Sequence, residues 1–374
     1  MVDIRADVGI VGSGPAACAA ALTLLDAGRS VVMLVRRHAG HAAVGEILAP
    51  RALSPLHQLG VWDRFLALGS LPVPGMICVW GEPRPYEVDF ILSPSGNGWH
   101  IERAQFDQML LEASEEAGAY IARTGPVQSC RHDGNQWLLE AAGGLRPVTV
   151  RATNLIGATG RGSPPAYTEN ARRWVDELVG VVAFLDGSRR SDSDPRALVE
   201  ACEHGWWYTA PLPDGRVITA LMTDRPLLRP LAARSPEGWR NLLRAAPHLW
   251  ERVADLPLLC PPRTVAANTY LRAPVAGPQY LLTGDAAMTI DPLSGQGITH
   301  ALEGGCTAAR ALLSYEAGDR NALRDYAGGM CRLFTASIRA RSEYYIREGR
   351  WPDAPFWRVR RSAPAPDGTG EIKI

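Results

Sequence analysis

Gly12-Ser13-Gly14-Pro15-Ala16-Ala17 follows the apolar run Val8–Val11 and opens straight into an alanine- and leucine-rich segment. The pattern predicts a strand over Asp7–Val11, a helix over Gly14–Ala27 stopped by Gly28, and a second strand over Ser30–Val35. Strand, tight glycine turn and helix in that order begin a βαβ unit, which commits the chain to a parallel sheet with helices on its faces. In this geometry Gly12 permits the turn and Gly14 lets backbone approach a pyrophosphate. The helix start at Pro15 and Ala16 offers N–H donors and a partial positive charge. Ala17 stands where a third glycine is usual. A turn of this kind, with a strand before it and a helix after it, binds a dinucleotide.

A second motif lies far along the chain. Thr283-Gly284-Asp285-Ala286-Ala287 runs on to Asp291-Pro292-Leu293-Ser294-Gly295-Gln296-Gly297, and a helical pattern then covers Gly297–Ala317. A carboxylate is a good acceptor for polyol hydroxyls, and glycines let backbone approach a flat ring. Gly284 and Asp285 are therefore read as holding a ribityl chain, and Pro292, Gly295, Gln296 and Gly297 as passing an isoalloxazine ring. A helix starting near Gly297 would aim its positive end at N1 and O2 of that ring. The expected cofactor is FAD. One element is missing: an acidic residue should end the second strand to bind the adenosine ribose, and Val35-Arg36-Arg37 stands there instead. Arg36 and Arg37 fit a 2′-phosphate, hence NADP; they also fit an FAD whose ribose is held elsewhere, or a solvated strand end. The second motif favours FAD.

Composition narrows the classes. Net charge is zero over 374 residues, which speaks against a nucleic-acid partner. No apolar run is long enough for a transmembrane segment and no cleavable leader pattern is present, so the expected location is cytoplasmic. Seven dispersed cysteines without CxxC spacing fit buried thiols in a reducing compartment and no metal site. The single lysine is Lys373.

These motifs resemble those of the flavoprotein monooxygenase and halogenase superfamily with the p-hydroxybenzoate hydroxylase fold, over roughly residues 6–345. Gly284-Asp285 matches the family's GD motif. Glu102-Arg103-Ala104-Gln105-Phe106-Asp107 looks like the helix start whose arginine contacts FAD, which implies that role for Arg103. Gly45-Glu46-Ile47-Leu48-Ala49-Pro50 resembles the Gly-Glu…Pro loop beside the isoalloxazine, which implies a cofactor contact and a pocket-framing role for Glu46. Trp207 and Pro292 are expected to frame the same pocket. Two departures follow. Halogenases of tryptophan need a tunnel lysine, and none exists before Lys373, so halogenation is not expected. The Asp-Gly motif that helps bind FAD and NADPH is replaced by Gly157-Ala158-Thr159-Gly160-Arg161, which leaves the electron donor open between NAD(P)H and a separate flavin reductase.

The resemblance implies an α/β chain: a Rossmann-like FAD-binding domain of the glutathione-reductase type (1–75, 99–165, 275–330) interleaved with a mostly antiparallel substrate sheet (76–98, 166–274). A C-terminal helix and tail (331–374) follow, with the tail after Gly349 expected to pack poorly. It further implies a monooxygenase that uses O2 through a flavin C4a-hydroperoxide to hydroxylate an electron-rich aromatic of indole or phenol type. The style is nearest to the flavoproteins that mature tryptophylquinone enzymes, carried by Gly205-Trp206-Trp207-Tyr208 and the hairpin to Arg216; a peptide or protein client is then the partner. Two alternatives stand: a dehydrogenase or reductase of the geranylgeranyl-reductase type, and a maturation partner of a quinoprotein oxidase whose main role is docking. Strand alternation puts Trp206 and Tyr208 on one face and Trp207 on the other, so at least one is expected to face the flavin. His100 and His300 lie near motifs as candidate proton shuttles, although a structural histidine is the commoner case.

Overall fold

The computed structural model describes residues 2–36, 47–90, 93–142, 147–162, 171–189 and 194–362. Gly45, Glu46, Arg37 and Lys373 lie outside the described residues. The main helices are α1 (Pro15–Asp26), α2 (Arg103–Glu116), α3 (Pro236–Leu243), α4 (Pro247–Val253), α5 (Gly297–Glu316), α6 (Ala322–Arg347) and α7 (Pro355–Ser362).

Apolar β-branched runs build the first sheet. Its parallel core orders Tyr280–Leu282, Val148–Gly157, Val2–Val11, Val31–Arg36 and Tyr120–Thr124 side by side. The first strand is longer than its apolar run predicts. Residues 3–6 alternate between exposed and half-buried side chains, and they extend the strand by pairing with Thr149–Ala152. α1 lies against this sheet on an alanine face, with Ala17, Ala19, Ala20 and Ala21 fully buried. Small side chains let α5 come very close. A Cβ added at Gly305 would stand 2.3 Å from the Ala16 carbonyl oxygen and 2.9 Å from the Ala19 Cβ. The close packing a third glycine usually supplies at the dinucleotide turn is thus met from the opposite helix.

The second sheet has seven strands, ordered Arg263–Ala266, Leu178–Asp186, Arg216–Asp224, Gly205–Pro211, Ala197–Cys202, Gly75–Val79 and Tyr86–Asp89. All neighbouring pairs but one are antiparallel; Ala197–Cys202 runs parallel to Gly75–Val79. The turn after Leu212, where Gly215 donates back to Leu212 at 3.1 Å, makes the Pro213-Asp214-Gly215 hairpin. The Leu71–Pro74 stretch, read as a crossing between domains, contains a short strand (Leu71–Val73) paired with Gly98–His100. α3 and α4 cover one face of the second sheet, and α7 with the end of α6 covers the other. The architecture is α/β, a Rossmann-like nucleotide-binding part interleaved with a mostly antiparallel sheet and closed by C-terminal helices. No helix among the described residues is long and apolar enough to cross a membrane.

The expectation of a poorly packed tail is corrected up to Ser362. Phe356 and Trp357 are fully buried against the second sheet, and Trp357 Nε1 donates to the Cys202 carbonyl at 2.9 Å. Arg360 is buried too, paired with Asp224 at 2.7 Å. A sequence rich in Pro, Arg and Trp reads as loop because the partners that neutralise and cover it are far away in the chain.

A cofactor cradle at the ends of the first sheet

The parallel strands deliver their carboxyl ends to one edge, where helix N-termini collect. Gly12 turns with φ +134°, its N–H donating to Leu34 at 3.1 Å. An added Cβ would stand 2.2 Å from the Ala158 oxygen, so no side chain fits. Gly14 caps α1 in extended backbone without a side-chain cap, and Pro15 follows it. The space beside Gly14 is open: an added Cβ would meet nothing within 4 Å. The first turn of α1 therefore presents N–H groups to an open recess, the arrangement that receives a phosphate.

Gly284 has φ +58° and sits against α1, where a Cβ would come within 2.7 Å of the Ala16 Cβ. This contact brings the next residue, Asp285, to the same recess. Its backbone oxygen accepts from the Tyr270 hydroxyl at 2.7 Å. Its carboxylate lies 3.4 Å from Arg161 Nε and keeps 40% of its side-chain surface open. Burial raises the Asp285 carboxyl above the ordinary range, while Arg161 and then Arg103 pull it back. Arg103, at the start of α2, pairs with Asp107 at 3.0 Å. The recess thus brings together Gly12, Gly14, Pro15, Ala16, Gly284, Asp285 and Arg103. Arg36 is exposed at the carboxyl end of its strand, two residues beyond Leu34, which pairs with Val11.

The segment expected to pass the ring is a short 3-10 turn, Pro292–Ser294, ended by Gly295 at φ +61°. Asp291 shapes it by accepting the Leu293 N–H at 2.9 Å. α5 starts at Gly297 without a side-chain cap on its N-terminus, and a Cβ at Gly297 would meet nothing within 4 Å. Gln296 Oε1 lies 3.1 Å from His300 Nε2. Ile47 borders this segment, with its Cγ2 3.8 Å from where a Gly295 Cβ would be. A groove of about 560 Å³ begins at Asp285, Gly297 and His300 and continues between α5 and α6.

Two uncapped helix starts facing open space and a carboxylate between them fit the pyrophosphate, ring and ribityl chain of FAD. Thr159, beyond the strand that closes on Gly12, adds a buried hydroxyl without a hydrogen-bond partner among the described residues. Known proteins place the chain. Residues 5–190 match the family described as FAD binding domain. The menaquinone reductase of Mycobacterium tuberculosis is 31% identical over 336 residues, covering 83% of this chain and 77% of that protein. The chain belongs to the flavoprotein family that carries this FAD binding domain. As a member it is an FAD-dependent oxidoreductase. The FAD-dependent oxidoreductase LodB of Marinomonas mediterranea is 27% identical over 380 residues, covering 96% of this chain and 98% of LodB. Two solved structures share the flavoprotein's fold. The myxobacterial chondrochloren halogenase CndH superposes with a TM-score of 0.89 at 21% identity, over 96% of this chain and 87% of that one. The peptidyl tryptophan dihydroxylase QhpG superposes at 0.78 and 21%, over 96% and 79%.

The aromatic strand resolves into two faces. Trp206 packs with Trp80, Tyr345 and Trp357, on the face that also meets Ile47 and Leu293. Trp207 points the other way, fully buried edge-on to Trp239 at 5.2 Å beneath α3 and α4. The expectation that Trp207 frames the pocket is corrected: alternation sends it to the opposite face, and Trp206 and Tyr208 hold the side of the ring segment. Three further residues serve this junction, two of them, Arg341 and Tyr345, outside any sequence motif. Arg161 pairs with Asp285, and Arg341 and Tyr345 reach Asp291 from α6.

His100 is fully buried, with Nε2 2.7 Å from the Pro195 carbonyl oxygen. Burial pushes its pKa down from 6.5 to about 4, against the pull of that carbonyl. A neutral buried imidazole of this kind serves the fold. Its folded pKa lies below the unfolded one, so its stabilisation is complete above pH 6.5 and is lost as pH falls towards 4. The loss amounts to about 3 kcal/mol. Urea titrations across that window should show His100→Asn losing this part of the pH slope; an unchanged slope contradicts the assignment. His300 is likewise pushed down, mainly by burial.

Proposed function

We propose that the flavoprotein is a monooxygenase that hydroxylates an electron-rich aromatic of indole or phenol type, with a tryptophan side chain in a peptide or protein client as the favoured substrate. The observation that carries this reading is the apposition of the ring-facing segment to an aromatic, buried sheet face. Leu293 and Ile47 pack against the apolar cluster that holds Trp206 and Tyr208. FAD, when bound, supplies the activation of O2 and the transfer of one oxygen atom. Everything else falls to the chain. The first turn of α1 would hold the pyrophosphate, Asp285 would accept hydrogen bonds from the ribityl hydroxyls, and the N-terminus of α5 would stabilise negative charge on the ring. Pro292 and Gly295 bring backbone against the ring, and the aromatic face excludes water from the reacting atoms.

Oxygenation balances as one oxygen atom to the aromatic and one to water, with two electrons from NAD(P)H or a flavin reductase. The fold shared with a peptidyl tryptophan dihydroxylase supports this substrate class, and the only lysine, Lys373, speaks against halogenation. The sequence likeness to menaquinone reductase favours a second reading, reduction of an unsaturated apolar substrate without O2. The two separate in one experiment. FAD-loaded protein, supplied with a reductase and ¹⁸O2, is incubated with tryptophan-containing peptides. Product carrying one ¹⁸O per hydroxyl supports the proposal. O2-independent turnover of a prenylated quinone, with unlabelled peptides, overturns it.

A further inference from the structure

The proposed ring contact rests on the segment after Asp291, and the structure invests heavily in holding that residue. Asp291 is only 4% exposed. One carboxylate oxygen takes the Leu293 N–H that shapes the turn. The other accepts from the Tyr345 hydroxyl at 3.0 Å and lies 3.0 Å from Arg341 Nε in an ion pair. Arg341 and Tyr345 stand four positions apart on α6, so both project from one face.

Each of them also reaches the substrate sheet. Arg341 Nη2 lies 3.0 Å from Asp176 Oδ2, and Asp176 Oδ1 accepts the N–H groups of Leu178 and Thr269, both at 3.1 Å. Leu178 begins an inner strand of that sheet, next to its edge strand. The Tyr345 hydroxyl accepts from Trp206 Nε1 at 2.9 Å. Arg360 lies over the Tyr345 ring at 5.2 Å and pairs with Asp224, a residue at the end of another strand. A continuous path therefore runs from the aromatic sheet face through Trp206 and Tyr345 to the carboxylate that sets the ring segment.

A buried ion pair of this kind is weak evidence for stability, because desolvation offsets the attraction. Geometric definition is the better account of it. We propose that Arg341 and Tyr345 are positioning residues: they fix the ring-facing segment 292–297 against the aromatic sheet face, and through Trp206 they tie its placement to what lies on that face. This deepens the monooxygenase reading and rests on it for the position of the ring. Neither residue needs to touch the reacting atoms.

The test uses full-length, FAD-loaded protein. Tyr345→Phe keeps the ring and removes one hydroxyl; Arg341→Met removes the charge, and Arg341→Lys returns it. Three quantities are read: FAD affinity by flavin fluorescence, the midpoint potential of the bound flavin, and product formed per O2 consumed. Losing a buried hydrogen bond to a carboxylate is worth about tenfold in an equilibrium. Tyr345→Phe should lower the product yield per O2 by about tenfold, with peroxide released in its place, and should shift the potential. Arg341→Met should do the same, and Arg341→Lys should recover part of both. Folded variants with wild-type potential and fluorescence overturn the proposal. Should Arg341→Met fail to fold, Tyr345→Phe decides alone. If the wild type binds FAD yet oxygenates nothing, the reaction assignment fails, and the potential and fluorescence still decide the positioning role.

Discussion

Asp285→Ala should weaken FAD binding by about 10- to 100-fold, the value of losing hydrogen bonds to a charged acceptor. The wild-type carboxylate stands in a recess floored by Gly284 and α1, and Arg161 pairs with it at 3.4 Å. Removing it takes away the acceptor proposed for the ribityl hydroxyls and leaves a guanidinium facing the cofactor. Asp285→Asn keeps an oxygen and loses the charge, so its affinity should lie between the two. Because burial raises the Asp285 carboxyl, binding should also weaken on acidification sooner than an ordinary aspartate would cause. Flavin fluorescence titrations at several pH values check both points. Equal affinity in wild type and Asp285→Ala would remove this residue from the cradle.

Trp357→Ala should destabilise the fold by about 3–5 kcal/mol. The indole is fully buried, meets Trp80 edge-on at 5.5 Å and Phe356 at 5.1 Å, and donates to the Cys202 carbonyl. Its loss leaves a large cavity and an unsatisfied acceptor on a strand beside Trp206. Truncation before Trp351 should do more, since it strips α7 from the same face and leaves Asp224 without Arg360. Chemical denaturation of the point variant, and solubility of the truncation, measure the two effects. A truncated protein with wild-type stability would show that α7 is dispensable.

What could be read in advance follows physical range. The dinucleotide turn was legible because its constraints are local: Gly12 must accept φ +134° with no Cβ, and a strand and helix must flank it. Gly284-Asp285 and the segment to Gly297 were legible for the same reason, and both motifs meet at α1 and α5. Alternation placed Trp206 and Trp207 on opposite faces, but which face meets the ring depends on α3, α4 and α7, and no pattern within the strand records that. The C-terminal segment misled because Arg360 is neutralised by Asp224, 136 positions away. Arg341 and Tyr345 carry helical spacing, yet their partner Asp291 comes from another element, so nothing in α6 alone singles them out. Glu46 and Gly45 fall outside the described residues, and their part in the site stays a proposal.

The most direct test of the account is flavin binding by the wild-type protein with Gly12→Ala beside it. Purified protein is titrated with FAD, and the absorption spectrum and stoichiometry are recorded. The cradle requires one FAD per chain, with a flavin band displaced from that of the free cofactor. It also requires that Gly12→Ala, whose Cβ would stand 2.2 Å from the Ala158 oxygen, lose that binding. Saturation at one FAD per chain in wild type and none in the variant is the expected result. No bound flavin in the wild type, or equal binding by both proteins, would contradict the cofactor site on which every later step depends.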